Sequence, residues 1–430
     1  MTISKTEQDA DGVVDVIGIG FGPANLAFAI AVDEANESGD QRPIEAVFVE
    51  AKPAFGWHPG MMLPGATMQI AFPKDLVTMR NPRSEYSFFN YLHTKGRMVD
   101  FINHQTFFPS RQEFGDYLAW AASMLDADVR YSTRAEAVRF EDDVVVVTCS
   151  GPHGVVELRG RNLIFAPGLT AKLPDYVTAS DRVFHNHRIL EQLPRVPSAP
   201  NGAYAVLGAG QSAAEVAEYL HNEYPAAEIH VIHTKFGMTP SDDSPFANRV
   251  FDPETVDVWH AAAPETRARL LSYHRGTNYS AVDTPLLDEL YRREYQEKVA
   301  GARRLFMHGA TEVTGVSEAT DGVTVGVRNL MTGDAGDLRV DALVCATGFR
   351  AGDIRDLLGD AAGQCLFDDA GPVVSRDYRL GTAEDVRAGV YLNGGVEATH
   401  GLSSTLLSNI AVRSGEIVAS VRENAGLRVS

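Results

Sequence analysis

Two short glycine turns, each set between an apolar strand pattern and a helical pattern, constrain this chain more than any other feature. The first is Gly18-Ile-Gly20-Phe-Gly22-Pro23-Ala24-Asn25, which follows the run Val13 to Ile19 and opens a helical stretch predicted from Asn25 to Val32. In a strand–turn–helix of this kind the first glycine is expected to permit the turn and the second to let backbone approach a pyrophosphate at the helix start. Pro23 suits the first helical turn, where its missing N–H has no role. A second apolar run, Ala46 to Val49, ends on Glu50, placed to accept hydrogen bonds from ribose hydroxyls. The second turn is Gly208-Ala-Gly210-Gln211-Ser212-Ala213, after the run Tyr204 to Leu207. The strand after it, Glu228 to Ile232, leads to His233-Thr234-Lys235 with no acidic residue at the ribose position. A missing carboxylate beside a cation favours a 2′-phosphate, hence NADP over NAD, with Lys235 as the candidate contact.

One such turn is weak evidence. Two, about 190 residues apart, each in the right local context, predict an α/β protein with two Rossmann-like dinucleotide-binding domains. The pair implies FAD at the first turn and a nicotinamide nucleotide at the second. The predicted division is a disordered tail over 1–12, an FAD-binding domain from 13–195 and 342–430, and an NADPH-binding domain over 196–341. The latter contains a mainly helical substrate region, 240–300. Pro-rich punctuation at 193–202 marks the boundary, and the strand Asp341 to Cys345 with its Ala346-Thr347-Gly348 turn is expected to lead the chain back.

Charge narrows the partners. Lys plus Arg is 38 against 57 for Asp plus Glu, a net charge of −19, which repels phosphate backbones and anionic lipid. Neither nucleic acid nor membrane is therefore an expected partner. No apolar run approaches the roughly 18–20 residues of a membrane span, and Met1 to Asp11 lacks the pattern of a signal peptide. The three cysteines, Cys149, Cys345 and Cys365, are scattered, giving neither a disulfide framework nor a metal knuckle. A cytoplasmic protein without a metal is the expectation.

Between Trp57 and Pro109 the chain is rich in Pro, Gly, Met and aromatic residues, with one helix predicted from Tyr86 to Thr94. A long irregular stretch of this composition inside a compact protein is functional rather than disordered. It holds Trp57-His58-Pro59-Gly60, Met68-Gln69-Ile70, Phe72-Pro73-Lys74-Asp75 and Ser87-Phe88-Phe89-Asn90-Tyr91. Further on come Pro240 to Asn248, Thr277-Asn278-Tyr279 and Thr399-His400-Gly401-Leu402-Ser403. In this order, over about residues 13 to 420, the chain resembles the microbial N-hydroxylating flavin monooxygenases, specifically the L-ornithine N5-monooxygenases of siderophore biosynthesis.

The resemblance implies reduction of the flavin by NADPH, addition of O2 to give a C4a-hydroperoxyflavin, and attack of the L-ornithine side-chain amine on the distal oxygen. It implies Gln69 beside the flavin ring, Lys74 on the substrate carboxylate, and Asn248 and Asn278 on the amino-acid end. It places Arg111, Gln211 and Ser212 at NADPH, Trp57, His58, Thr347 and Leu402 around the cofactors, and Ser403 in a loop facing both flavin and substrate amine. The assembly implied is a homo-oligomer, a tetramer. Pro73 departs from the family's usual Leu, and 233–237 lacks the family's common arginine.

Two features argue the substrate. A diamine has no carboxylate for Lys74 to neutralise, which favours an amino acid, whereas one methylene separates ornithine from lysine by only about 1–3 kcal/mol. An L-lysine N6-hydroxylase or a diamine N-hydroxylase is the alternative within the chemistry. Outside it stands a non-catalytic dinucleotide-binding redox sensor. A disulfide reductase would need a Cys-x-x-Cys, and the sequence has none.

Overall fold

The computed structural model describes residues 12–39, 41–197 and 202–424, so most of the expected tail and the centre of the Pro-rich boundary lie outside the described residues. In chain order the first half contains β1 (Val13–Ile19), α1 (Pro23–Glu37), β2 (Ala46–Val49), α2 (Phe88–Thr94), α3 (Met98–His104) and α4 (Arg111–Met124). Then follow β3 (Asp128–Arg130), β4 (Arg134–Glu141), β5 (Val144–Gly151), β6 (Gly154–Phe165), β7 (Leu169–Ala171), β8 (Val183–His185) and α5 (Ile189–Gln192). The middle has β9 (Ala203–Leu207), α6 (Gln211–Glu223), β10 (Glu228–Ile232), α7 (Thr255–Ala261), α8 (Pro264–His274), α9 (Thr284–Ala300) and β11 (Leu305–His308). The remainder is β12 (Thr311–Ala319), β13 (Gly322–Asn329), β14 (Ala335–Val340), β15 (Ala342–Cys345), β16 (Phe349–Ala351), α10 (Ile354–Leu358), β17 (Phe367–Asp368), β18 (Gly371–Pro372), β19 (Gly389–Leu392), α11 (Glu397–His400) and α12 (Ile410–Asn424).

The strands form two main sheets. The first runs β3-β2-β1-β6-β5-β4, with β19 also on β6. Its β3, β2, β1, β6 and β19 are parallel, while β4, β5 and the start of β6 form an antiparallel meander. Val16 and Ile17 of β1 have no exposed surface, as expected for a parallel strand covered on both faces. Every residue of α1 from Asn25 to Val32 is buried. A helix apolar on all sides needs cover on all sides, and α1 packs against α12 and, through Phe28 on Phe48, against the sheet.

The second sheet runs β11-β10-β9-β15-β8, all parallel, and α6 packs on it. A three-stranded antiparallel sheet, β12-β13-β14, shares a further apolar core with its other face. Both glycine turns thus sit at strand–helix junctions of parallel sheets. The domain boundaries shift, however. β8 pairs with β15, and β15 with β9, inside the second sheet. The expected cuts at 195/196 and 341/342 would divide that sheet. The chain instead crosses between units at β7 and β16, which pair antiparallel.

The irregular segment is ordered by its aromatics. Phe72 packs against Phe88, Phe89, Phe101 and Phe107, with the Phe72 and Phe107 rings stacked at 5.9 Å. Backbone bonds from Met68 N–H to Pro109 O (2.9 Å), Phe72 N–H to Phe107 O (2.8 Å) and Arg111 N–H to Ala66 O (2.8 Å) lay 66–72 beside 107–111. α4 starts where Ser110 accepts from the Glu113 N–H at 3.1 Å, in the Ser-x-x-Glu pattern of a capping box.

Candidate functional site

A cavity of about 1160 Å3 opens at the C-terminal ends of β1, β2, β6 and β19. Gly20, Pro23 and Glu50, expected at the first cofactor, line it, together with Trp57 and His58, expected around the cofactors. Gly20 has φ +81°, and a Cβ there would lie 2.3 Å from the Ala166 carbonyl oxygen. The turn therefore depends on Gly20 rather than Gly18, whose missing side chain instead makes room for the Phe48 ring. Gly22 precedes Pro23 at the start of α1 and has open space where a Cβ would be. Asn25 does not line the cavity. It is buried, and its amide donates to the carbonyls of Ile19 (3.2 Å) and Gly20 (2.7 Å), which holds the turn from behind.

Glu50 is 6% exposed and reaches the cavity through one edge only. Its Oε2 accepts from the Phe21 N–H (2.8 Å) and its Oε1 from the Lys52 N–H (2.9 Å). Each carboxylate oxygen can accept a second bond, which suits a diol. His58 has its exposed ring surface toward the cavity and φ +45°. The surrounding protein, then Arg111, Lys52 and His187, push its pKa down to about 4, so the ring is neutral near pH 7.

One lining residue has no distinguishing sequence context. Arg413, in the first turn of α12, is 2% exposed. Its Nε donates to Asn393 Oδ1 (2.9 Å) and its Nη1 to the carbonyls of Ser404 (2.6 Å) and Ser403 (3.4 Å). Glu416, one turn on, is held by Arg376 in a bidentate pair at 2.7 and 3.1 Å. A buried guanidinium without a carboxylate of its own, facing a cavity, is stabilised by an anionic occupant. The open start of α1, the Glu50 edge and Arg413 together fit a dinucleotide with a charged diphosphate.

The second turn repeats the pattern. Gly208 has φ +150°, a Cβ there would lie 2.4 Å from the Ala346 carbonyl, and Ala213 sits within 3.2 Å. Gly210 caps α6 and passes 3.2 Å from Ser280 Cα, measured from an added Cβ. Gln211 and Ser212 begin the helix, half-buried. Lys235 lies just past β10, but its ammonium donates to Ser280 O (2.5 Å) and Thr239 Oγ1 (3.1 Å). It retains one donor for a phosphate. Arg111 is engaged as well: Glu215 of α6 takes its two terminal nitrogens at 2.7 and 2.6 Å.

The expected substrate residues come from separate segments. Lys74 is half-buried, at the end of a turn closed by its N–H on Ala71 O (2.9 Å). Its neighbour Asp75 is not its ion-pair partner. Asp75 is 2% exposed and accepts from the N–H groups of Val77 (2.9 Å), Thr78 (2.6 Å) and Phe88 (2.8 Å) and from the Thr78 hydroxyl (2.8 Å). The Lys74 ammonium has no carboxylate within ion-pair distance among the described residues. Gln69 is exposed and outside the cavity lining, and its amide donates to the Thr67 carbonyl at 3.5 Å. Asn248 donates to Asp243 O at 2.9 Å, and Asn278 follows a short helical turn before Tyr279, whose hydroxyl meets Glu397.

Tyr279 and Trp259 bring the helical region over 397–403, where a Cβ added at Gly401 (φ +78°) would lie 3.2 Å from the Trp259 indole. Leu402 and Ser403 are buried there. The final helix begins at Ile410, after two short 3-10 turns over 402–405 and 407–409, and Ser403 lies in the first of these. Thr347 bonds the Lys172 carbonyl at the crossing between units.

A family model described as L-lysine 6-monooxygenase/L-ornithine 5-monooxygenase matches residues 12–351. An L-ornithine N(5)-monooxygenase of Pseudomonas aeruginosa is 37% identical over 433 aligned residues, covering 97% of this chain and 96% of the relative. An ornithine N-hydroxylase of Kutzneria sp. 744, solved as FADred-NADP+-L-orn, superposes with a TM-score of 0.92 at 42% identity, covering 96% of this chain and 100% of that one. An L-lysine 6-monooxygenase from Pseudomonas syringae superposes with a TM-score of 0.83 at 32% identity, covering 96% and 99%.

Proposed function

The chain belongs to the L-lysine 6-monooxygenase/L-ornithine 5-monooxygenase family, and from that premise we propose the following reading of its sites. The protein is an NADPH-dependent flavin monooxygenase that converts L-ornithine to N5-hydroxy-L-ornithine with O2, using FAD and NADPH. Bound flavin supplies the activation of O2 once NADPH has reduced it. The similarity to ornithine hydroxylases along nearly the whole chain carries the substrate assignment.

The chain's own residues bind and orient. Gly20 and Gly22 bring backbone to the diphosphate at the start of α1, Glu50 holds a ribose, and Arg413 neutralises charge from the opposite wall. Gly208, Gly210, Gln211 and Ser212 receive the nicotinamide nucleotide, with Arg111 and Lys235 supplying cations. Lys74 pairs with the ornithine carboxylate, supported by its lack of a protein carboxylate partner. Asn248 and Asn278 hold the α-amino end, while Gln69 and Ser403 serve the flavin and the reacting amine. Trp259, Tyr279 and the 397–403 turn exclude water over the site. Trp57, His58, Thr347 and Leu402 shape the cofactor walls, and Asn25 holds the first turn from behind.

No helix among the described residues is long and apolar enough to cross a membrane. We place the reaction in the cytoplasm, where NADPH and free amino acids are both at hand, and its product in hydroxamate siderophore assembly. A homotetramer is the proposed assembly, which sedimentation velocity would check.

The test is hydroxylamine product measured in parallel with ornithine, lysine and putrescine. Product from ornithine alone is expected. Product from lysine or putrescine at equal efficiency would overturn the Lys74 and asparagine assignment.

A further inference from the structure

We propose that Glu215 is a positioning residue for the nicotinamide nucleotide, acting through Arg111 and Gln211, and that it sets how much of the NADPH consumed reaches the hydroxylated product. The inference rests on the activity proposed above and names a residue to which that activity assigns no role.

Glu215 lies one turn into α6, just past the nucleotide turn, and is 4% exposed. Its Oε2 takes Arg111 Nη1 at 2.7 Å, and its Oε1 takes Arg111 Nη2 at 2.6 Å together with Gln211 Nε2 at 3.1 Å. Arg111 stands 104 residues earlier, at the start of α4 in the first unit, and also donates to Met61 O at 3.1 Å. Gln211 passes the connection on, because its Oε1 accepts from the Asp283 N–H at 2.9 Å where α9 begins. One buried carboxylate therefore links the first unit, the nucleotide turn and the helical region.

Holding units together does not require such a pair. Desolvating two charges offsets most of their attraction, and apolar residues of similar shape would do as well. A bidentate carboxylate–guanidinium pair adds direction, because two parallel N–H···O bonds fix an angle as well as a distance. The nucleotide turn lies at one end of this link and the cavity wall near Met61 and His58 at the other. Rotation of α6 about the link would carry the nucleotide away from the flavin, and displacements of about 1 Å cost catalysis heavily.

Two overall reactions compete. In the productive one, NADPH, H+, O2 and the amine give NADP+, H2O and the hydroxylamine. Without oxygen transfer, NADPH, H+ and O2 give NADP+ and H2O2. A misplaced nucleotide favours the second, and the amino-acid site is untouched.

The experiment compares Glu215→Gln and Glu215→Asp with the unaltered holoenzyme. The readouts are FAD per protein, NADP+ affinity by titration without amino acid, KM for NADPH and for ornithine, and product and peroxide per NADPH. For Glu215→Gln we expect KM for NADPH and the NADP+ dissociation constant to rise about tenfold or more, as for loss of a charged partner in a buried pair. Product per NADPH should fall at least twofold with peroxide making up the difference, while FAD content and KM for ornithine stay within about twofold. Glu215→Asp, too short for both arms, should move the same quantities less, and it decides the matter if the Gln variant does not fold. Unchanged NADPH affinity and coupling would overturn the proposal, as would equal losses in FAD, NADPH and ornithine binding, which would mark a merely structural pair. If the unaltered protein makes no hydroxyornithine, the activity reading fails, and the NADP+ titrations still decide the role of Glu215.

Discussion

Replacing Arg413 by Met removes a charge and keeps most of the stem that packs in the first turn of α12. The lost bonds are those to Asn393 Oδ1 and to the Ser403 and Ser404 carbonyls, which leaves three acceptors in a largely dry environment. Each orphaned acceptor costs about 1–3 kcal/mol. Against this, the apoprotein no longer holds a guanidinium whose charge burial disfavours, an effect of opposite sign. The two effects oppose each other in the apoprotein, so its melting temperature should fall by less than the lost bonds alone would cause. With FAD bound there is no such compensation. A hydrogen bond to a charged group contributes about 1.5–3 kcal/mol, so FAD affinity should fall about 10- to 150-fold. Titration of apoprotein by flavin fluorescence, beside melting curves of apo and holo forms, reads both quantities. Unchanged FAD affinity with a strongly destabilised apoprotein would refute the reasoning and make Arg413 a brace for the 402–409 turns alone.

Other substitutions test the remaining walls of the site. Lys74→Ala should raise KM for ornithine about 30-fold, the low end of losing one partner of a buried charge pair because the side chain is only half-buried, with KM for NADPH unchanged; equal effects on both would oppose the assignment. Gly20→Ala should yield protein with little FAD, since the left-handed turn alone costs about 1–2 kcal/mol and the new methyl would meet the Ala166 carbonyl at 2.3 Å. Full yellow occupancy would contradict this. Burial holds the pKa of His185 and His400 at about 4, below the ordinary value of 6.5. The unfolded chain therefore binds more protons between these values, and their stabilising contribution is complete above pH 6.5 and lost as pH falls toward 4. Urea unfolding at pH 7, 5.5 and 4.5 should show declining midpoints, and a flat series would count against buried neutral imidazoles.

Much of this architecture was legible because its signals are local. The runs 13–19 and 204–207, their glycine turns and the helices behind them fall on β1, β9, α1 and α6, since strand, turn and helix each have a short-range cause. Short elements without such a cause were not legible. α3 starts at Arg97 with no side-chain cap, and β11 is four residues held by its neighbour β10. Domain limits failed for a related reason. Which sheet a strand joins is a long-range property, and the Pro-rich segment marks an excursion that does not coincide with the crossing at β7 and β16. Within the site, adjacency in sequence misled at Lys74 and Asp75, because the Asp75 carboxylate turns inward to Val77, Thr78 and Phe88. Arg413 and Glu215 read as ordinary charged residues on helices. Their importance lies in burial and in partners 20 and 104 residues away.

The central claim is that oxygen from O2 reaches the side-chain nitrogen of ornithine. The most direct measurement is a turnover of the holoenzyme with NADPH, L-ornithine and 18O2, with product analysed by mass spectrometry and NADPH consumption followed in parallel. The expected product is N5-hydroxy-L-ornithine carrying one 18O atom and formed in proportion to NADPH oxidised. NADPH oxidation that yields only labelled peroxide, or hydroxylated product with oxygen drawn from water, would contradict it.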